Sequence, residues 1–189
     1  LLDRRSLRSV QDKPGMPAFV KELSANACAL LIESRAASQT LLHEQLAQIM
    51  ASLADFAVEK QVDFTENPGE NAKLWAIRKD TFPAVGAVRK TGTTVIIEDV
   101  TFPVEQLAIG VNRLIELFDK HHYDEAILFG HALEGNLHFV FTQGFNNPEE
   151  VARYQAFMDD VAQLIAVEFG GSLKAEHGTG RNMAPFVEL

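Results

Sequence analysis

The feature that most constrains the fold is a pair of apolar segments, residues 125–132 and 136–142, separated by a very short polar stretch. Two such segments around a glycine-containing turn are typical of a β-hairpin. With residues 134–135 as a two-residue loop, in which glycine supplies the positive φ, His131 is predicted to lie opposite His138. Directly opposed residues share a face with Cβ atoms about 5 Å apart. A shift of one residue would separate the two imidazoles, so this prediction depends on the register.

The segments on either side of the hairpin predict its neighbours. From Thr93 the order is β-α-β-β-α-β, which is the order of a ferredoxin-like unit. The remaining strands of this unit are predicted over residues 93–99 and 172–176, with helices from Pro103 and over 148–169.

The residues before Thr93 predict strand, helix, strand and helix, a partial second copy of the same unit. The predicted elements are a strand at 27–33, a helix at 38–58, a strand at 62–65 and a helix at 68–80. The sequence therefore predicts an α+β fold, with a largely antiparallel sheet and helices mainly on one face.

The first 26 residues are charged and contain Pro14–Gly15, so they are interpreted as a connector from an upstream domain. Residues 27–189 form the predicted domain. The chain begins without methionine and stops inside an apparent helix, so we expect a fragment truncated at its C-terminus. Both faces of 125–132 are apolar, which indicates either a two-sided core strand or an interface for a missing domain.

Composition excludes several classes of protein. There are 26 acidic against 17 basic residues and a net charge of −9, which argues against nucleic-acid binding. No apolar run reaches the roughly 18 residues of a membrane span. We therefore expect a cytoplasmic protein, with peripheral attachment to the inner membrane as the alternative. The single cysteine, Cys28, excludes an internal disulfide or a thiolate cluster and is expected to be a buried thiol.

Two segments carry the candidate chemistry. His131 and His138 would chelate one metal ion if they share a face; the alternative is two hydrogen-bonded or exposed histidines. The second segment, residues 174–181, contains Glu176, which would complete a set of three ligands and leave an open position, as in catalytic metal sites. Nitrogen and oxygen ligands suit Zn²⁺ but also Mn²⁺, Co²⁺ or Fe²⁺. The alternative for Glu176 is a surface loop with a salt bridge to Arg181 or Lys174.

Together these segments resemble a known family. Residues 130–138 match the pattern Gly-His-x-x-(Asp/Glu)-Gly-Asn-x-His, and residues 176–178 match the Glu-His-Gly that follows it. The pair resembles the C-terminal domain of FAD-linked oxidases, which includes D-lactate, glycolate and D-2-hydroxyglutarate dehydrogenases. The likeness is greatest to large bacterial members that also carry iron–sulfur domains.

The resemblance implies a flavoenzyme that oxidises a D-2-hydroxyacid, with FAD bound mainly by a preceding domain absent from this chain. It implies a divalent metal, first of all zinc, on His131, His138 and Glu176, and His177 as the general base. The residues that would bind substrate are Arg78, Asn136 and Arg181.

Three residues depart from the D-2-hydroxyglutarate dehydrogenase pattern. Phe82 stands in place of a threonine, Ile97 in place of a lysine and Val140 in place of a polar residue. D-2-hydroxyglutarate is the first expected substrate and D-lactate the second. A stand-alone zinc hydrolase and a ferredoxin-like binding module without catalysis are the competing classes.

Overall fold

A computed structural model describes all 189 residues. Six α-helices and three β-strands form around one antiparallel sheet whose strand order is β1-β3-β2. The elements in chain order are α1 (Arg4–Val10), α2 (Phe19–Glu22), α3 (Gln39–Leu53), α4 (Pro68–Val88), β1 (Thr93–Thr101), α5 (Leu107–Lys120), β2 (Ile127–His131), β3 (Asn136–Gly144) and α6 (Pro148–Ala162). The α+β class and the antiparallel sheet are confirmed.

The last strand of the predicted ferredoxin-like unit is reduced to one bridge. Ser172 pairs with Thr101 on the outer edge of β1, which is where the fourth strand would lie. The Ser172 hydroxyl then donates to Lys174 O and accepts from Lys174 N. This side chain turns the backbone away from the sheet edge, so the prediction of a strand over 172–176 is wrong.

The predicted partial second copy does not form. Within 27–33 only Ala29 makes a bridge, to Leu2, and residues 62–65 pair with no strand. Helix α3 begins as predicted, with Ser38 accepting from Leu41 N. It contains no buried residue, so it covers no sheet as a helix of a second copy would.

Cys28 is exposed, so the expectation of a buried thiol is wrong. A strand at 27–33 would have given this side chain an inward face, and that strand does not form. None of the helices combines the length and the apolarity that a membrane span requires.

The sheet has two faces with different covers. The face that we call the core face carries Leu128, Phe139 and Phe141 and packs against Phe118 of α5 and Phe157 of α6. Side chains alternate along a strand, so the odd and even residues of each strand separate cleanly between the faces.

The opposite face, which we call the site face, carries Ile127, Phe129, His138 and Val140. Its apolar part packs against α1 and α4. Helices therefore cover both faces, where they were expected mainly on one. The physical reason is the length of α4, which continues past its expected end near Asp80 because its last turns bury Ala84 and Val85. Of the two interpretations of 125–132, the structure shows a two-sided core strand.

The N-terminal residues lie along the free edge of β2. Asp3 N donates to Leu128 O, Gly130 N donates to Leu1 O, and Asp3 caps α1 by accepting from Ser6 N. Leu2, Leu7 and Val10 are buried on the site face. Part of the expected connector is thus folded onto the sheet, and the boundary at residue 27 stays a prediction.

Candidate active site

The loop between β2 and β3 sets the positions of the two histidines. Ala132–Glu134 form a 3-10 turn, and Gly135 follows with φ of 64°. A side chain on Gly135 would collide with Phe102 O, so this position requires glycine both for its φ and for the close approach. The loop is longer than the predicted two residues because Ala132 and Leu133 leave the strand and enter this turn.

The longer loop changes the register. His131 lies opposite Asn136, and His138 lies opposite Phe129, so the predicted pairing of His131 with His138 is wrong by two residues. An even shift keeps every side chain on its face. The two imidazoles therefore still share the site face, with ring centroids 5.8 Å apart.

Glu176 brings its carboxylate between the imidazoles. Its Oε1 atom lies 2.8 Å from His138 Nε2, 3.6 Å from His177 Nε2 and 3.8 Å from His131 Nε2. Glu176 forms no ion pair with Lys174 or Arg181; its ion-pair partners are these three histidines. The geometry therefore differs from the surface-loop alternative.

The loop that carries Glu176 and His177 is held at both ends. Before it, Ser172 is bridged to Thr101. Beyond it, the Asn182 side chain accepts from Tyr154 Oη at 2.7 Å and donates to Glu98. Burial raises the pKa of Glu98, so this carboxyl resists ionisation more than a solvated one. These contacts fix the loop against β1 and α6.

Sequence reasoning missed one member of the cluster, Asp99. It lies directly opposite His138 on β1 and is 1% exposed. Its Oδ2 atom accepts from His177 N at 2.9 Å, and Oδ1 lies 3.7 Å from His177 Nδ1. The signal in the sequence was a carboxylate on the inward side of an apolar strand, which is rare unless it is paired.

The ionisation of His138 suits metal binding. Burial lowers its pKa to about 4, and the nearby Glu176 only partly opposes this. The ring is therefore neutral at neutral pH, which is the form that binds metal ions. Its Nδ1 atom is buried without a hydrogen-bond partner.

The ligand atoms suit a divalent cation by their type. Those of Asp99, His138, Glu176 and His177 all lie within 4.8 Å of one another, a group that does not include His131. Atoms bound to one ion lie about 3–3.5 Å from each other, so His131 would have to move closer to share an ion with this group. No lysine or arginine forms an ion pair with Asp99 or Glu176. Two carboxylates and three imidazoles in one cluster therefore leave negative charge that a cation can balance.

Two of the three residues expected to bind substrate lie at the cluster. The Arg78 guanidinium of α4 stacks 4.3 Å from the centre of the Phe129 ring, and that ring lies 5.3 Å from the His138 ring. Burial lowers the pKa of Arg78, and Glu176 opposes the shift. Asn136 shares the site face and is 5% exposed, and its Oδ1 atom has no partner.

Arg181 forms no ion pair with the cluster. It is exposed and lines a groove beside β1 together with Ile97 and Phe145. Two of the residues that depart from the family pattern, Ile97 and Val140, are opposite each other in the sheet and form the next pair to Asp99 and His138 on the site face. The side of the cluster toward the middle of the sheet is therefore apolar.

Comparison with known proteins gives a consistent set of relatives. Residues 1–189 match the family described as FAD linked oxidases, C-terminal domain. The chain is 30% identical to glycolate oxidase subunit GlcD of Bacillus subtilis (strain 168) over 192 residues, which is 100% of the chain and 38% of the relative. It is 29% identical over 109 residues to D-2-hydroxyglutarate dehydrogenase of Haemophilus influenzae, covering 57% of the chain and 10% of that protein.

A further relative is D-lactate dehydrogenase of Anaerostipes hadrus. It is 26% identical over 149 residues, covering 76% of the chain and 30% of the relative. The chain thus spans well under half the length of each of these proteins, and all three names refer to oxidation of a 2-hydroxyacid.

Proposed function

The chain belongs to the family of FAD-linked oxidase C-terminal domains, and from this premise we propose that it binds the substrate and a metal in a dehydrogenase. The reaction is oxidation of a D-2-hydroxyacid to the 2-oxoacid, with the C2 hydride passing to FAD and the hydroxyl proton passing to the protein. The observation that carries the proposal is the position of Glu176 Oε1 within 3.8 Å of three imidazole nitrogens. A second carboxylate, Asp99, accepts a hydrogen bond from His177 N and so fixes His177 beside this centre.

His131, His138 and Glu176 are the proposed metal ligands, with zinc as the first candidate. A divalent cation held there acidifies a hydroxyl group that binds to it. The side chains of His131 and Glu176 are 56% and 50% exposed, so the open position faces solvent, where a substrate enters.

Three other residues complete the proposed site. His177 takes the hydroxyl proton at Nε2, the nitrogen that faces the cluster. Arg78 binds the substrate carboxylate, since its planar guanidinium has no carboxylate partner and offers two parallel donors. Asn136 has a buried Oδ1 atom in need of a donor and orients substrate from the same face.

FAD is proposed to bind mainly to a domain of the full-length protein outside this chain. The exposed side of the cluster is the side on which that domain would present the flavin. The zinc identity and any iron–sulfur domains in the full-length protein stay predictions.

Two kinds of substrate side chain, with and without a second carboxylate, are candidates for this site. Resemblance of the motif gives D-2-hydroxyglutarate as the first candidate. One observation favours D-lactate or glycolate instead: the apolar pair Ile97 and Val140 lies beside the cluster. A distal carboxylate placed against that pair would be desolvated. Arg181 shares a groove with Ile97, so D-2-hydroxyglutarate would require this exposed arginine to pair with the distal carboxylate.

Steady-state dye reduction by the full-length protein, measured across D-2-hydroxyacids with and without a chelator, tests the proposal. We expect oxidation of at least one of these acids, and a chelator should lower kcat/KM by about 10²-fold or more, since a bound cation contributes several kcal/mol. Metal analysis of the same preparation should find about one ion per chain.

Two results would contradict the proposal in different ways. A protein that takes up no ion at any pH would favour a ferredoxin-like binding module. Hydrolytic activity with added zinc, and no oxidation of any hydroxyacid, would favour a metal-dependent hydrolase.

A further inference from the structure

Asp99 is a buried carboxylate without a lysine or arginine partner. It lies on β1 opposite His138, and its side chain is 2% exposed. Its only ion-pair neighbour is His177. A carboxylate is costly to bury unless it is paired, so its place in an otherwise apolar strand calls for a specific role.

The contacts of His177 divide between its two ring nitrogens. Nδ1 lies 3.7 Å from Asp99 Oδ1, and Nε2 lies 3.6 Å from Glu176 Oε1. The other Asp99 oxygen accepts from His177 N at 2.9 Å. The ring also stacks on His138, with centroids 4.9 Å apart and planes 20° apart. The backbone N–H of His177 is thus hydrogen-bonded to one oxygen of this carboxylate, and the ring Nδ1 faces the other oxygen at ion-pair distance.

We propose that Asp99 is a positioning residue for His177, an inference that rests on the proposed function. Its negative charge favours the tautomer with the proton on Nδ1. Nε2 is then unprotonated and directed at the cluster, where the substrate hydroxyl proton is accepted. A carboxylate orients the histidine of a catalytic triad in the same way.

A different role is open to the same four side chains. Asp99, His138, Glu176 and His177 offer ligand atoms that all lie within 4.8 Å of one another. If Asp99 were a metal ligand, its loss would release the ion. If it were only structural, its loss would act independently of His177.

A double-mutant cycle in the full-length holoenzyme separates these roles. The variants are D99N, H177N and the pair, and Asp55→Asn, an exposed aspartate after α3, is the matched control. D99N keeps the oxygen that accepts from His177 N and removes only the charge. We expect D99N to lower kcat by about 10²-fold, within the range for a base and its orientation, with KM within about twofold and the metal content unchanged.

In the H177N background the same change should have little further effect, because the group that Asp99 positions is already gone. Equal losses of kcat in both backgrounds, or a loss of bound metal in D99N, would overturn the proposal. If D99N is recovered in low yield, the cycle is repeated with Asp99→Ser, which is smaller and retains an acceptor. Failure of the wild type to oxidise any 2-hydroxyacid would contradict the proposed function itself, whereas an active wild type with an equally active D99N would contradict only the role of Asp99.

Discussion

The two faces of the sheet use the same strands for opposite purposes. Along β3, Leu137, Phe139 and Phe141 enter the core face, where aromatic rings pack edge to face. The buried polar residue on that face, Gln143, accepts a hydrogen bond from Tyr123 Oη. The alternate residues Asn136 and His138 enter the site face, and each retains a buried polar atom without a partner. The period of two in a strand therefore lets one segment provide stability on one side and unsatisfied binding groups on the other.

The largest effect on activity is expected at Glu176 on the site face, where a change should lower activity without lowering stability. The change E176Q keeps the size of the side chain and removes the charge at the centre of the three imidazoles. We expect kcat/KM of the full-length enzyme to fall by about 10³-fold or more, because a neutral amide binds a cation more weakly than a carboxylate and a bound cation contributes several kcal/mol. Bound metal, measured in the same samples, should fall in parallel.

The stability of E176Q is the second half of that test. Glu176 is half exposed, so the free energy of unfolding of the metal-free protein should change by no more than about 0.5 kcal/mol. Glu188→Gln, at an exposed position, is the matched control for both measurements. An E176Q enzyme with normal metal content and activity would remove the functional half of the comparison.

A change on the core face should have the reverse pattern. Phe139 is fully buried and contacts Phe118 and Phe157. Its replacement by alanine should lower the free energy of unfolding by about 3–5 kcal/mol, from lost transfer energy and an added cavity. Denaturant titration measures this, and Phe56→Ala, at a position 68% exposed, is the control.

The F139A enzyme should keep its metal content and its activity per folded molecule close to the wild-type values. Loss of metal without loss of stability would mean that the two faces do not act separately.

A smaller effect is expected from pH, through His138. Its pKa is 6.5 when unfolded and about 4 when folded, so the unfolded state binds more protons between these values. The metal-free protein should therefore lose stability as the pH falls from 6.5 toward 4, by up to on the order of 3 kcal/mol. The loss should be absent in H138Q and present in the exposed control His43→Gln, both measured by denaturant titration at pH 7 and pH 4.5. An equal pH dependence in H138Q and wild type would show that burial of this ring is not its cause.

Local patterns were sufficient for much of the fold. The alternation of 136–142, the cap at Ser38 and the periodicity after Pro103 predicted β3, α3 and α5 close to where they lie. The same patterns say little about packing: α3 forms from its own sequence but buries nothing. Strands fail more easily than helices in such predictions, since a strand needs a neighbour, and residues 62–65 have none.

The candidate site was predictable where its residues are close in sequence. His131 and His138 were expected to share a face, and they do, although the conformation of the 3-10 turn at Ala132 set a register that turn statistics did not give. Asp99 was missed because it meets His177 across 78 positions of the chain. No spacing rule reports a contact of that separation.

The pairing of residues 1–3 with β2 has a consequence for how the sheet ends. Gly130 N donates to Leu1 O and Asp3 N donates to Leu128 O, and Leu2 forms bridges to both Phe129 and Ala29. The outer edge of β2 is therefore covered beside the candidate ligands. An uncovered edge strand offers a row of unpaired amides and carbonyls to which another chain can add, and the segment before α1 removes that route to aggregation.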